Sequence, residues 1–357
     1  MTGTTVDLDL GIRDAELLAA TLPPERRGVG RDGVKLLLTN SLTGAVRHEA
    51  FRNLPDHLKP GDLLVLNDSG TLPASVPVRR ERTGELIRLH LAPKSRRGTY
   101  LAEPRTSDGR HPLPDVLRQG EILSVDAGRI CVGRRYDVRT RLWSLKPETG
   151  LDLGRVMTCS GDPIQYPYVA EDLPLEDYQT VYAGPRGSSE MPSAGRAFTR
   201  ELLDDLARGG VEVVTVTLHT SLSSHEVEGD LKDHVLLPEP YWLPDETARA
   251  IRGAMKGGRR VIACGTTVVR ALASAEGPDG RPRPGHATAR AMVAPGNRPS
   301  CLAGLLTGLH TPRSSHLALL EAFISPEHLR SAYRAAIEAR YLWHEFGDLQ
   351  LILPGIA

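Results

Sequence analysis

The sequence predicts an α/β protein that carries a separate all-β unit, and three observations lead there. From residue 200 to residue 353 strand-like and helix-like segments alternate, the pattern of an α/β sheet. Between residues 76 and 146 that alternation stops. Short β-type stretches at 85–91, 99–103, 122–125, 129–132 and 142–145 are separated by Gly and Pro turns, and no helical period survives. Ahead of this stretch, residues 34–39 and 45–51 flank the turn Ser41-Leu42-Thr43-Gly44 as a hairpin, and residues 63–66 form a short apolar strand.

A chain of 357 residues with 40% apolar side chains has ample material for a core in one large or two ordinary domains. The formal net charge is zero, so the chain as a whole has no attraction to nucleic acid or membrane, and RNA contact requires a local patch. Cys131, Cys159, Cys264 and Cys301 are far apart, which argues against a structural zinc site and fits reduced thiols. No apolar run is long enough to span a membrane and the first residues are acidic and polar, so a cytoplasmic protein without membrane contact is expected.

In chain order, Gly28-Val29-Gly30-Arg31-Asp32-Gly33 matches the letters of the dinucleotide fingerprint but not its context. Leu22-Pro23-Pro24 precedes it and a strand follows, so it reads as a loop. The strand at 63–66 ends in Asn67 and Asp68, at the end where open α/β sheets place ligands; the same pair also fits a local turn. The β unit concentrates Arg79, Arg80, Arg82, Arg88, Arg96, Arg97, Arg134, Arg135, Arg139 and Arg141, either as solvated strand faces or as phosphate contacts. Residues 161–174 are irregular and Pro-rich, and 184–195 is a Gly/Ser/Pro loop of functional length.

A helix over 200–208 then stops at Gly209-Gly210, and the β-branched strand 211–219 closes with Thr217 and His219 on one face. His219, His225 and His234 match no metal-ligand spacing, and no metal is expected. A helix over 245–256 feeds residues 261–274, a buried strand, a sharp turn at Gly265 and a helix starting at Thr266 or Thr267. The free N–H groups of that start suit either a threonine cap or an anionic ligand, with Arg270 one turn further on. Residues 277–285 are a turn-rich loop, 302–309 a strand running into His310, and 314–324 a helix. The next helix is capped by Ser325 with Pro326 at its first position, and 349–353 is the last strand.

Six blocks, taken together, resemble the S-adenosylmethionine:tRNA ribosyltransferase-isomerases of queuosine biosynthesis: residues 60–73 (PGDLLVLNDSGTLP), 178–182 (YQTVY), 192–199 (PSAGRAFT), 214–219 (VTVTLH), 261–272 (VIACGTTVVRAL) and 341–352 (YLWHEFGDLQLI). The resemblance implies an α/β main domain (1–75 and 156–357) with an inserted, barrel-like all-β domain (76–155). It also implies transfer of the ribosyl group of S-adenosylmethionine to a 7-aminomethyl-7-deazaguanine in tRNA, with isomerisation to an epoxycyclopentane and release of adenine and methionine.

S-adenosylmethionine is then the substrate, no other cofactor is expected, and the tRNA anticodon loop is the expected partner of a monomer. On the matching positions, Asp68, His219, His310 and Asp348 are expected to be catalytic, and Asn67, Gly195, Thr199, Thr217, Gly265, Thr266, Thr267 and Arg270 to bind substrate. Arg79, Arg80, Arg134, Arg135 and Arg139 are the expected RNA contacts.

The chain departs from the family pattern at polar positions. Gly70 and Ser75 replace two arginines, Ala197 and Leu237 replace histidines, and residues 221–227 carry Glu226 where the family has a positive charge; Glu239 remains. These departures leave two further readings, a small-molecule acceptor on the same fold and a non-catalytic protein that binds S-adenosylmethionine or a nucleoside.

Overall fold

A computed structural model describes residues 10–95, 98–222 and 234–356. Arg96, Arg97 and the departures at 223–227 lie outside the described residues. The hairpin β1 (Lys35–Asn40) and β2 (Val46–Ala50) forms as its sequence predicts. The Gly-rich 28–33 segment follows a short 3-10 turn, Pro24–Arg27, with Gly28 left-handed at φ 75°, and ends in a second, Arg31–Gly33, that feeds β1. β3 (Leu63–Asn67) is buried along its whole length.

The chain then leaves the sheet. The strands β4 (Ser75–Arg80), β5 (Leu86–Leu91), β6 (Tyr100–Arg105), β7 (Ile122–Val125), β8 (Gly128–Arg135) and β9 (Trp143–Pro147) close into a barrel in the order β8-β9-β6-β5-β4-β7. Every pairing is antiparallel. Val76, Val78, Ile87, Leu89, Ile130 and Val132 fill its interior by strict alternation. Helix α1 (Leu153–Ser160), which the sequence reading does not anticipate, is capped by Asp152 and adds Leu153, Val156 and Met157 to that core. Eight residues with one apolar stripe are too few for periodicity to register.

On its return the chain completes the sheet with α2 (Arg200–Arg208), β10 (Glu212–Leu218), β11 (Glu239–Leu243), α3 (Asp245–Lys256), β12 (Val261–Cys264), α4 (Thr266–Ala275), β13 (Gly285–Ala289), β14 (Gly304–Gly308), α5 (Ser315–Leu320), α6 (Pro326–Glu338) and β15 (Leu349–Leu353). The nine strands run β13-β11-β10-β3-β12-β14-β15-β1-β2. The central four, β10, β3, β12 and β14, are mutually parallel, so their carboxyl ends share one edge. Alternation along them divides two cores. Val65, Val216, Ala263 and Leu305 face one side, and Leu64, Leu66, Ile262 and Leu306 the other.

Strand β11 and its neighbour, the edge strand β13, extend the predicted pattern. Pro240 hides the first, as suits a strand near a sheet edge, and Gly-His-Ala-Thr-Ala lacks the apolar alternation that marks the second. Helix α5 stops at Leu320, four residues short of the predicted end. Among the described residues no helix is long and apolar enough to cross a membrane.

The barrel settles where the arginines go. Arg80 is buried: its Nε donates to Glu121 at 2.8 Å, one NH2 group to Glu85 at 2.7 Å and the other to the Val116 carbonyl at 2.6 Å. It is therefore a structural ion pair and not a surface contact, which corrects the expectation for Arg80. Arg135 pairs with Asp115 and Arg139 with Asp137, while Arg79 reaches only the Gly84 carbonyl and Arg134 remains exposed. Truncating Arg80 to Ala strands the buried Glu121 carboxylate, so urea unfolding should show a loss of about 3–5 kcal/mol. The double variant Arg80→Met/Glu121→Leu should recover most of that loss; a single variant within 1 kcal/mol of the parent, roughly the scale of a surface pair, would contradict this.

Candidate functional site

The carboxyl ends of β12 and β14 open into a cavity of about 340 Å³, within the range of small-ligand pockets. At its base β12 turns into α4 through Gly265, whose φ of 93° is open to glycine and strained for other residues. A Cβ there would sit 3.4 Å from that of Ala194. No side chain caps α4, so the threonine cap allowed by the sequence is not used, and Gly265, Thr266 and Thr267 line the cavity with the helix's positive end.

Arg270, one turn on, also lines the cavity. It forms an ion pair with Glu239 at the start of β11 and donates to the Leu237 carbonyl at 3.1 Å, while its buried Nε has no hydrogen-bond partner. Burial raises the Glu239 carboxyl pKa, and Arg270 and the Ser221 N–H oppose that rise.

His310 follows β14 into the same cavity. Its Nε2 is 2.9 Å from Thr307 Oγ1, its N–H donates to Tyr333 at 3.1 Å, and its ring stacks on His316 at 4.9 Å. Burial, with His316 and His344 nearby, drives its pKa well below the ordinary histidine range, and His316 is lowered to about 4, chiefly by burial. Both rings are neutral at pH 7.

The remaining wall comes from residues the sequence reading passes over. Tyr166, Tyr168 and His344 form a stack, with centroids 5.5 Å apart for the tyrosines and 4.0 Å for Tyr168 and His344, at interplanar angles of 8° and 12°. Glu190 and Glu345 line the same wall, and the Tyr168 hydroxyl donates to Glu345. Burial pushes the Tyr166 phenol well above its usual range, and the charges of Glu190 and Glu345 add to that. Tyr166 and Tyr168 lie in the Pro-rich segment that carries no periodic signal. His344 and Glu345 sit inside the block 341–352, where the sequence pointed to Asp348 instead.

Asp348 does not line the cavity. Both of its oxygens accept backbone N–H groups, from Lys35 at 2.7 Å and Leu342 at 2.8 Å. It clasps the turn in which His344 is held at φ 75° and Glu345 is presented, so here it is a positioning residue.

Asp68, Thr217 and His219 gather at the neighbouring ends of β3 and β10, outside the cavity lining. Thr217 donates to Asp68 at 2.6 Å, and the chain Ser188, Ser69, His219 is linked at 2.6 and 2.7 Å. Burial lowers the His219 pKa against the pull of Asp68. Asn67 bridges the two groups by donating to the Leu218 carbonyl at 2.9 Å and to Thr267 Oγ1 at 3.2 Å. Thr199 caps α2 through Leu202 N at 3.1 Å, and Gly195 leaves room for Tyr182, whose hydroxyl would meet a Cβ at 1.9 Å. Among the described residues no group of three or more His, Cys, Asp or Glu is placed to hold a metal ion.

Similarity to known proteins extends over nearly the whole chain. The family described as "Queuosine biosynthesis protein" matches residues 14–352. An S-adenosylmethionine:tRNA ribosyltransferase-isomerase of Symbiobacterium thermophilum is 35% identical over 330 residues, 90% of this chain and 94% of that protein. The protein of the same name from Thermotoga maritima is 34% identical over 328 residues, 90% of this chain and 93% of that one. The crystal structure of the S-adenosylmethionine tRNA ribosyltransferase from Thermotoga maritima superposes with a TM-score of 0.50 at 27% identity, covering 94% of this chain and 96% of that chain.

Burial raises the Glu345 carboxyl pKa from 4.5 to about 7. The protonated form is thus the one the fold prefers. Its contribution to stability is complete below pH 4.5 and lost as pH rises through about 7. Glu345→Gln removes that dependence. Denaturation at pH 8.5 should show the variant more stable than the parent by up to about 3 kcal/mol, with most of the gap gone at pH 5; equal stability at both would refute the assignment.

Proposed function

The chain belongs to the queuosine biosynthesis protein family, and from that premise we propose that it transfers and isomerises the ribosyl group of S-adenosylmethionine onto 7-aminomethyl-7-deazaguanine in tRNA, releasing adenine and methionine. The observation that carries the reading on the structural side is the joint placement of the uncapped α4 start and Arg270 in one cavity at the sheet's carboxyl edge. A helix start favours anions, and a nearby guanidinium adds a fixed charge. The methionine carboxylate belongs there, with Glu239 beside Arg270 for the amino group of the same zwitterion. We place the reaction in the cytoplasm, where tRNA is modified.

The sulfonium acidifies the carbon next to it, so an unprotonated imidazole in reach can take that proton in the first step. His310 lines the cavity and is held neutral by burial; His219 lies outside the lining, so we assign proton removal to His310. Asp68, Thr217 and His219 at the adjoining strand ends, linked to the α4 start through Asn67, support that edge of the site.

The pairing of Arg80, Arg135 and Arg139 within the barrel favours a second reading, in which the acceptor is a small amine and RNA is not bound. Product analysis separates the readings. Adenine release that requires tRNA bearing the aminomethyl base supports the first, and release with a small amine alone supports the second. No release from a folded protein that binds S-adenosylmethionine would leave a binding protein.

Two variants sharpen the test. Arg270→Ala should weaken S-adenosylmethionine binding by roughly ten- to hundred-fold, the scale of a buried charge-assisted contact; unchanged affinity in a folded variant by calorimetry sinks the anchor role. Arg134→Ala should lower tRNA affinity and reduce the salt slope of its logarithm by about one. A titration with no tRNA binding at low salt would move the acceptor to the small amine.

A further inference from the structure

We propose that the wall carrying Glu190 and Glu345 on the stack of Tyr166, Tyr168 and His344 is the subsite for the acceptor's ring, the two carboxylates recognising its positively charged primary amine. The inference rests on the reading above for the existence of an amine acceptor, and adds where in the cavity that acceptor binds and what selects it.

The cavity lining carries charge of both signs. The α4 start and Arg270 supply the positive groups, Glu190 and Glu345 two of the carboxyls. S-adenosylmethionine brings a carboxylate and an amino group side by side, and the Arg270–Glu239 pair beside the α4 start matches both. Glu345 is different. Among the described residues no Lys or Arg makes an ion pair with it, and the Tyr168 hydroxyl donates to its side chain. A carboxyl so placed gains most from a ligand that brings its own cation, because the charge then enters already compensated.

The stack supplies the second requirement. Rings parallel within 12° and 4.0 Å apart, as Tyr168 and His344 are, continue naturally into a further planar ring. A primary ammonium attached to a flat heterocycle satisfies both features at once; an adenine satisfies only the stack. The Asp348 clasp on the turn bearing His344 and Glu345 holds this wall in place without touching the ligand.

Calorimetric titration of the whole protein with 7-aminomethyl-7-deazaguanine, and with 7-cyano-7-deazaguanine as its uncharged counterpart, tests the proposal. The amine should bind at least about tenfold tighter than the nitrile. Glu190→Gln/Glu345→Gln should abolish that preference and leave S-adenosylmethionine affinity within about twofold, and the single Glu345→Gln should reduce the preference in the same direction. Equal binding of the two bases by the parent, no binding of either at millimolar concentration, or a preference that survives in the double variant overturns the inference. A loss of S-adenosylmethionine affinity of about tenfold or more overturns it as well, since it would put these carboxylates at the sulfonium. Adenine release from the parent is read separately, so failure of the proposed reaction is distinguishable from failure of the amine subsite.

Discussion

The cavity depends on one backbone constraint, the turn at Gly265. β12 is buried on both sides in the parallel centre of the sheet, and α4 must pack back on it, so a single residue has to reverse the chain. It does so at a φ of 93°, which glycine adopts freely and other residues only under strain. Because the turn is so tight, the helix starts at Thr266 with no capping residue before it, and its positive end opens on the cavity. The same tightness brings Thr267 to Asn67 and so ties the end of β3 to the helix start. Geometry, capping and electrostatics at this edge are one consequence of the parallel strand order.

Charge is arranged around that edge by pairing, and the neutral total conceals it. Arg80 and Glu121 neutralise each other inside the barrel, Arg260 pairs with Asp62 at the amino end of β3, and Arg270 pairs with Glu239 in the cavity. Burial makes each of these costly to break and weakly stabilising in sum. What they supply is position: a guanidinium held by a partner keeps its remaining N–H groups aimed in fixed directions. In the cavity that matters most, because Arg270 still has a buried Nε without a partner.

Much of this was legible in the sequence. The alternation from residue 200 onward, the break over the barrel, the Gly265 turn and the cap at Ser325 all follow from local rules of period and capping. The acidic wall was not, because Tyr166, Tyr168, Glu190 and Glu345 come from three irregular segments that only the tertiary fold brings together. Asp348 stood out because it lies in a distinctive block, yet a buried carboxylate that accepts two backbone N–H groups looks the same in sequence as one that meets a substrate. The barrel arginines were ambiguous for a related reason. Sequence counts charges, and only the fold shows that Arg80, Arg135 and Arg139 already have carboxylate partners.

The departures from the family pattern take on a different meaning in space. At position 70 the glycine leaves room for a neighbour: Arg186 pairs alongside it, and a Cβ on Gly70 would lie 3.2 Å from the Arg186 side chain. At position 75 the serine is held by Arg88, whose Nε donates to Ser75 Oγ at 2.8 Å and whose terminal nitrogen donates to the Ser75 carbonyl at 2.8 Å. Two arginines thus flank the two positions where the family places arginines, Arg186 from the short strand Arg186–Ser188 beside Gly70 and Arg88 from β5. Beside Ala197, the buried Arg196 pairs with Glu25 and sits over the Phe346 ring at 5.1 Å, next to the turn that presents Glu345. Guanidinium groups therefore lie near these positions on other segments, and two of them already have carboxylate partners, Arg88 in Asp162 and Arg196 in Glu25. A residue-by-residue comparison registers loss at each position, whereas the field an anionic ligand meets depends on where the guanidinium groups lie.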